Sequence, residues 1–218
     1  MALRIDEQFV VGAPVEPVWA FLVDPRRVVR CVPGGELHEV VDARTYRGRV
    51  RVKVGPWTFA YGGRVRLADV DTAARRVRIV GEAHETAGAD TALLTLDSWL
   101  TPLPGGATRV VAETRVEVRG RIVELGRGVL EALGHAVFQE FSSAVRARIE
   151  AEESQRAVLA GGAPPPPLPP PPPPLRAVPL VLRAVRAWIA GTLRPSSGRA
   201  RAEPRSERPR RAAGPREP

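Results

Sequence analysis

Residues 46–63 read YRGRVRVKVGPWTFAYGG. Gly48, Val50, Val52 and Val54 alternate with Arg47, Arg49, Arg51 and Lys53. A two-residue period of this kind puts an apolar face on one side of a strand and a cationic face on the other, so the strand is buried on one face only. Gly55-Pro56 predicts a turn. Beyond it Trp57, Phe59, Tyr61, Val65 and Leu67 share one parity and are expected to point to the same interior.

The same period extends in both directions, from about residue 35 to 118, which predicts consecutive antiparallel strands. Val77, Ile79 and Gly81 alternate with Arg76 and Arg78, residues 90–100 form a largely apolar strand ending at Trp99, and Pro104-Gly105-Gly106 marks a hairpin. The last strand sets Val110, Ala112, Thr114, Val116 and Val118 against Val111, Glu113, Arg115, Glu117 and Arg119. Upstream, residues 2–11 read as a strand, followed by a short helix carrying Val18, Trp19, Phe21 and Leu22 and a second over 25–31. From Gly120 the period becomes helical: Ile122, Leu125, Gly126, Val129, Leu133, Ala136, Val137 and Ala144 fall on one stripe of a helix reaching about residue 155, roughly 50 Å long. One strand, two short helices, six strands and a long helix predict an α+β helix-grip fold, a curved antiparallel sheet of about seven strands wrapped around a C-terminal helix. Gly126, Gly128 and Gly134 each weaken that helix by roughly 1 kcal/mol relative to alanine. Either they permit close packing on the sheet or they leave room for a ligand, Gly126 opening a cavity from the stripe itself.

Charge divides the chain. Residues 1–160 hold 22 basic and 21 acidic residues, a net of +1, whereas residues 161–218 hold 11 and 3, a net of +8. A near-neutral domain with a cationic tail fits an anionic surface and does not single out nucleic acid. Cys31 is the single cysteine, which excludes an intrachain disulfide and a cysteine-based zinc site and fits a reducing cytoplasm. The N-terminal MALRIDEQFVVGAP lacks a secretory pattern, and no apolar run reaches the roughly 18–20 residues of a membrane span.

The organisation expected is a domain over 1–155, a Gly/Pro-rich linker over 156–177, a basic amphipathic helix over 178–194 and a disordered Arg/Pro-rich tail over 195–218. The linker contains GGAPPPPLPPPPPP, a polyproline II spacer or a ligand for an aromatic-lined groove. In the helix, Leu182, Val185, Trp188, Ile189 and Leu193 group on one side with Val178 and Val181. Arg176, Arg183 and Arg194 lie opposite, with Arg186 flanking. An arginine face with a tryptophan edge suits an in-plane helix on an anionic membrane. Docking on a partner protein and binding of nucleic acid are the competing readings, and the last is set aside.

Chemistry-bearing residues are sparse. His38, His84 and His135 have no partner at metal-pair spacing, and His84 with Glu82 or Glu85 is the one acid–base pairing the strands offer. No base stands beside Cys31, and no phosphate-binding glycine loop is present. Electron transfer would require a bound carrier.

Asp24-Pro25 through Cys31-Val-Pro-Gly-Gly35, the stretch 46–63, and GRIVELGRGVLEALGHAVFQEF at 120–141 resemble the carbon monoxide dehydrogenase G-subunit family of the START-like (SRPBCC) superfamily, over about residues 2–150. The resemblance implies a non-catalytic accessory subunit. It would associate with a molybdenum hydroxylase-type carbon monoxide dehydrogenase, sit peripherally on the inner face of the cytoplasmic membrane, and hold a non-covalent lipophilic carrier, a menaquinone-like quinone. No metal is expected. Inward parity then nominates Trp57, Phe59, Tyr61, Val65, Val77, Ile79, Val116, Val129, Leu133 and Val137 as cavity lining, with Gly126 enlarging it and Tyr61 offering a hydroxyl to a quinone carbonyl. The same residues could fill a dry core. A cyclase- or dehydratase-like enzyme of this fold and a ligand-free membrane scaffold are the alternatives.

Overall fold

The computed structural model describes residues 1–54, 57–160 and 169–170, without the side chains of Trp57, Ala157 and Ala160. Most of the expected linker, the amphipathic helix over 178–194 with its flanking Arg176, and the segment 195–218 lie outside the described residues.

Strand β3 (Thr45–Val54) is half-buried as its alternation requires: Val54 is buried, Val50 and Val52 are partly so, and Arg47, Arg49, Arg51 and Lys53 are exposed. It pairs antiparallel with β4 (Trp57–Asp71), which sets Val50 opposite Tyr61 and Val52 opposite Phe59. The remaining strands are β1 (Ala2–Val11), β2 (Gly35–Val40), β5 (Arg76–Glu85), β6 (Thr91–Pro102) and β7 (Thr108–Arg119). They form a seven-stranded sheet in the order β1-β7-β6-β5-β4-β3-β2, every neighbouring pair antiparallel. Bulges interrupt β2 between Leu37 and Glu39 and β4 between Leu67 and Asp69. Such bulges bend the strand that carries them and increase its twist.

Because β1 and β2 occupy opposite edges, the chain between them must cross the sheet. It does so through α1 (Val15–Leu22), α2 (Pro25–Val28) and a 3-10 turn (Val29–Cys31). Asp24 starts α2 by accepting from the Arg26 amide at 2.9 Å, with Pro25 at the first helical position, where no amide proton is missed. Val18, Trp19 and Phe21 turn inward.

The long helix α3 spans Arg127–Ala160, 34 residues or about 50 Å. It starts later than its apolar period predicts. Residues Arg121–Leu125 form a 3-10 turn, and Gly126 (φ 82°, ψ 154°) breaks the chain before the helix starts. Gly126 therefore does not lie on the helical stripe and does not open a cavity from it; it is exposed, and a Cβ there would meet no atom within 4 Å. The break also resets the helical phase. The buried apolar positions of α3 are Leu130, Ala136, Val145 and Ile149, with Ser142 and Arg148 buried beside them, while Val129, Leu133 and Val137 are half-buried.

Gly134 serves close packing: a Cβ there would stand 2.2 Å from Ile5 Cδ1, so α3 is drawn onto β1. Arg146 Nε donates to the Val10 carbonyl at 2.9 Å, the Gly12 amide donates to Glu150 at 3.0 Å, and His135 pairs with Glu7 along the same side.

The apolar interior is split in two. One core joins Phe9, Val11, Val18, Trp19, Phe21, Leu67, Val77, Leu100, Val110, Val145 and Ile149, with Phe138 edge-on to Phe9 at 5.8 Å. The other joins Leu3, Val54, Phe59, Tyr61, Val118, Ile122 and Leu130.

Gly126→Ala separates a conformational role from a spatial one. Space is free but the backbone is not, so the substitution is expected to lower unfolding free energy by about 1–3 kcal/mol in urea titration. An unchanged midpoint would show that the positive φ is not required.

Candidate functional site

Between the two cores, part of the concave face of the sheet is left open. Tyr46, Val65, Gly81, Leu94 and Val116 stand side by side across β3 to β7, and Leu67, Ile79, Leu96 and Thr114 form the next row. Val65 faces inward yet is 40% exposed, whereas Phe59, Tyr61 and Leu67 on the same face of β4 are buried. Leu94, Leu96 and Thr114 are half-buried and belong to neither core. Gly81 forms the floor: a Cβ there would lie 3.6 Å from both Leu94 Cβ and Val65 Cγ2, at ordinary contact distance. An apolar groove thus runs between the cores.

The residues nominated by parity distribute along it. Phe59 and Tyr61 are buried in the second core, with Val116, Val129 and Leu133 packed against it; Val77 is buried in the first, with Ile79 against it. Val65 and Val137 belong to neither. Trp57 opens β4 opposite Val54, but its side chain lies outside the described residues. Gly126 stands apart, as the exposed break before α3.

One end of the groove is polar. Tyr61 and Glu85 face each other directly across β4 and β5. Tyr61 is 7% exposed and its hydroxyl is buried without a hydrogen-bond partner. The Glu85 side chain is also 7% exposed, and its Oε2 makes no hydrogen bond; the nearest cationic nitrogen, Arg121 Nη2, is 3.7 Å away. Asp90 beside them is 1% exposed and is fully engaged, accepting from the Arg121 and Ile122 amides at 2.7 and 2.9 Å. It thereby satisfies amides at the start of the 3-10 turn that a turn of this kind leaves unpaired. Burial, with the carboxylates of Asp90 and Glu85 adding to it, holds the Tyr61 phenol well above its ordinary ionisation range. Tyr61 is a neutral donor with no acceptor, and Glu85 carries an acceptor oxygen with no donor.

The other reactive side chains do not converge on this site. His84 lies opposite Gly62 and one residue out of phase with Glu85, so it is exposed on the convex face. Glu82 shares that face and pairs with Arg64 at 2.6 Å. The pairing of His84 with Glu85 that their adjacency offers is therefore split across the sheet. Cys31 is fully buried, and burial pushes its thiol up to about 11, the positive Arg148 only partly offsetting this. Such a thiol is not a nucleophile near neutral pH. Among the described residues no group of three or more His, Cys, Asp or Glu could hold a metal ion.

Gly81, Asp90 and Arg121 were not nominated as site residues by sequence reasoning, and Glu85 entered it only as a partner for His84. For Glu85 the signal was present: it continues the inward parity of Val77, Ile79 and Gly81.

A family model for the G subunit of carbon monoxide dehydrogenase (CoxG) matches residues 8–150. No curated protein matches the chain. Among solved structures, a conserved protein from Geobacillus kaustophilus superposes with a TM-score of 0.60 at 19% identity, covering 68% of this chain and 95% of that one. The ZhuI aromatase/cyclase from Streptomyces sp. R1128 gives 0.52 at 20% identity, covering 75% and 99%. At these identities the likeness shows the fold alone, a helix grip. Among the described residues no helix is long and apolar enough to cross a membrane.

Tyr61 gives a pH test. A phenol whose folded pKa is raised keeps its proton when the unfolded chain loses it, so its contribution to stability is complete below about pH 10 and is lost as pH rises beyond that value. Absorbance titration at about 295 nm should superimpose for the native protein and Tyr61→Phe up to roughly pH 11, and the two should part on unfolding.

Proposed function

From the premise that this chain belongs to the CoxG family of carbon monoxide dehydrogenase subunits, we propose that it is a non-catalytic accessory subunit. It binds a lipophilic quinone of the menaquinone kind and brings a molybdenum hydroxylase-type carbon monoxide dehydrogenase to the inner face of the cytoplasmic membrane. The observation that carries this reading is the uncovered apolar strip at Val65, Gly81, Leu94 and Leu96, which ends at the unpartnered hydroxyl of Tyr61. An apolar groove with few convergent polar groups is the usual form of a small-molecule site.

Shape and chemistry support a carrier. A ring and isoprenoid chain would cover the aliphatic floor and regain roughly 25 cal/mol for each Å² of apolar surface removed from water. Tyr61 would donate to a ring carbonyl, which a phenol held neutral can do without losing its proton to solvent. The dehydrogenase supplies electrons, the quinone carries them to the respiratory chain, and the protein supplies binding and position. The basic segment over 178–194, which carries Arg183, Arg186 and Arg194 among Leu182, Val185, Trp188, Ile189 and Leu193 and has no acidic residue, takes the domain to anionic lipid. Arg176 adds to that attraction from the linker.

The alternative of a cyclase- or dehydratase-type enzyme would use Tyr61 and Glu85 as its acid–base pair, since His84 lies on the other face. Bound quinone and turnover distinguish the two. Organic extraction of the protein purified from its native host, followed by mass spectrometry, is expected to release quinone. Gly81→Leu should abolish that yield while retaining the fold, because its Cβ has room and the rest of the side chain fills the groove. Quinone recovered equally from Gly81→Leu, or none from the wild type, would refute the site. In liposome flotation with anionic vesicles, deletion of residues 175–218 is expected to abolish binding; unchanged flotation would remove the membrane role of the tail.

A further inference from the structure

The polar end of the groove has an acceptor as well as a donor. Glu85 and Tyr61 are direct cross-strand partners, and side chains so placed begin about 4.5–5.5 Å apart at their Cβ atoms. Both side chains are more than nine-tenths buried, and neither the Tyr61 hydroxyl nor Glu85 Oε2 has a hydrogen-bond partner; Oε2 rests against Gly88 of the β5–β6 turn, where a Cβ would collide with it. Asp90 does not relieve them: its two oxygens accept from the Arg121 and Ile122 amides, and neither is bonded to the Tyr61 hydroxyl. The end is also acidic: two carboxylates lie near Tyr61, and the cation that faces Glu85, Arg121, is 71% exposed on its side chain.

Each feature constrains a ligand. An anionic head, whether a fatty acid carboxylate or a phosphate, would be set against Glu85 and Asp90 and is disfavoured. A purely acceptor head satisfies Tyr61 and leaves Glu85 without a donor. A hydroxyl satisfies both, since it accepts through a lone pair and donates through its proton. Reduction of a quinone changes its head in this way. Two electrons and two protons convert both ring carbonyls to hydroxyls, so an oxygen that could only accept can then also donate.

We infer that the Tyr61–Glu85 end of the groove reads the redox state of its ligand, holding a neutral hydroquinone more tightly than the corresponding quinone. This rests on the proposed function. The electrons come from the partner dehydrogenase and the protons from water, and the reduced carrier gains a bond from its new hydroxyl to the Glu85 carboxylate. Hydrogen bonds to charged groups make such a preference roughly tenfold to a hundredfold. Each tenfold raises the two-electron potential of the bound couple by about 30 mV, which makes the groove a better electron acceptor.

Binding of 2-methyl-1,4-naphthoquinone and of its hydroquinone to the full chain, measured anaerobically by tryptophan fluorescence, tests the inference. The hydroquinone is expected to bind at least tenfold more tightly. Glu85→Gln, which keeps the shape but adds a donor, is expected to bring the two affinities within about threefold by strengthening the quinone. Tyr61→Phe should weaken both forms and keep their order. Equal affinities in the wild type, or a preference that survives Glu85→Gln, would overturn the redox reading and leave the carrier reading standing. If neither form binds, the carrier reading fails and takes this inference with it.

Discussion

A single helix cannot cover seven strands. Neighbouring strands lie about 4.8 Å apart, so the sheet is roughly 29 Å across, whereas a helix with its side chains is about 10–12 Å wide. Something must remain uncovered, and the close packing of Gly134 on Ile5, with the Arg146, Glu150 and His135 contacts beside it, sets what. It seats α3 on β1, at one edge of the sheet, while α1 and α2 close one end. The remaining strip across β4 to β6 is apolar because the strands that build it alternate, and among the described residues no element lies over it. The two cores are the two places where this sheet could be covered, and the groove is the space between them.

The polar end of the groove runs against stability. A buried donor or acceptor without a partner costs about 1–3 kcal/mol, and Tyr61 and Glu85 present one of each. They are kept in place by groups that are fully satisfied. Asp90 secures the 3-10 turn, and Thr86 ties the β5–β6 turn back to the Ala60 carbonyl through its amide at 2.8 Å and its hydroxyl at 3.1 Å. A rigid frame around unspent polar groups is what a preorganised binding site requires.

Most of the sheet was legible in the sequence because a period of two is a direct consequence of strand geometry. It survives whatever the strand packs against, and so Val50 and Tyr61 fall opposite each other as the alternation implies. The helix was less legible. A helical wheel assumes one unbroken phase from its first residue; the positive φ of Gly126 takes Ile122 and Leu125 off the helix, and the face that α3 buries includes Leu130, Val145 and Ile149, which the expected stripe did not contain. At the site, residue chemistry pulled the reading away from geometry. His84 draws notice as an acid–base group, but parity assigns it to the convex face and assigns Glu85, noticed only as its partner, to the groove. The groove itself depends on what α3 leaves bare, and no local pattern carries that information.

An open sheet has two edges, and the way these are finished bears on how the groove can exist. At β1 the Val10 carbonyl is occupied by Arg146 of α3. At the far side, β2 is only six residues long, is broken by the bulge at Leu37/Glu39, and exposes Glu36, His38 and Glu39. Neither edge offers the long, flat, uncharged ladder on which another chain could add a strand. A protein that leaves apolar surface uncovered risks self-association. Here the most direct route to it, edge-to-edge growth of the sheet, is hindered by the short, bulged and charged β2 at one edge and by Arg146 and the charged Arg4, Asp6 and Glu7 at the other.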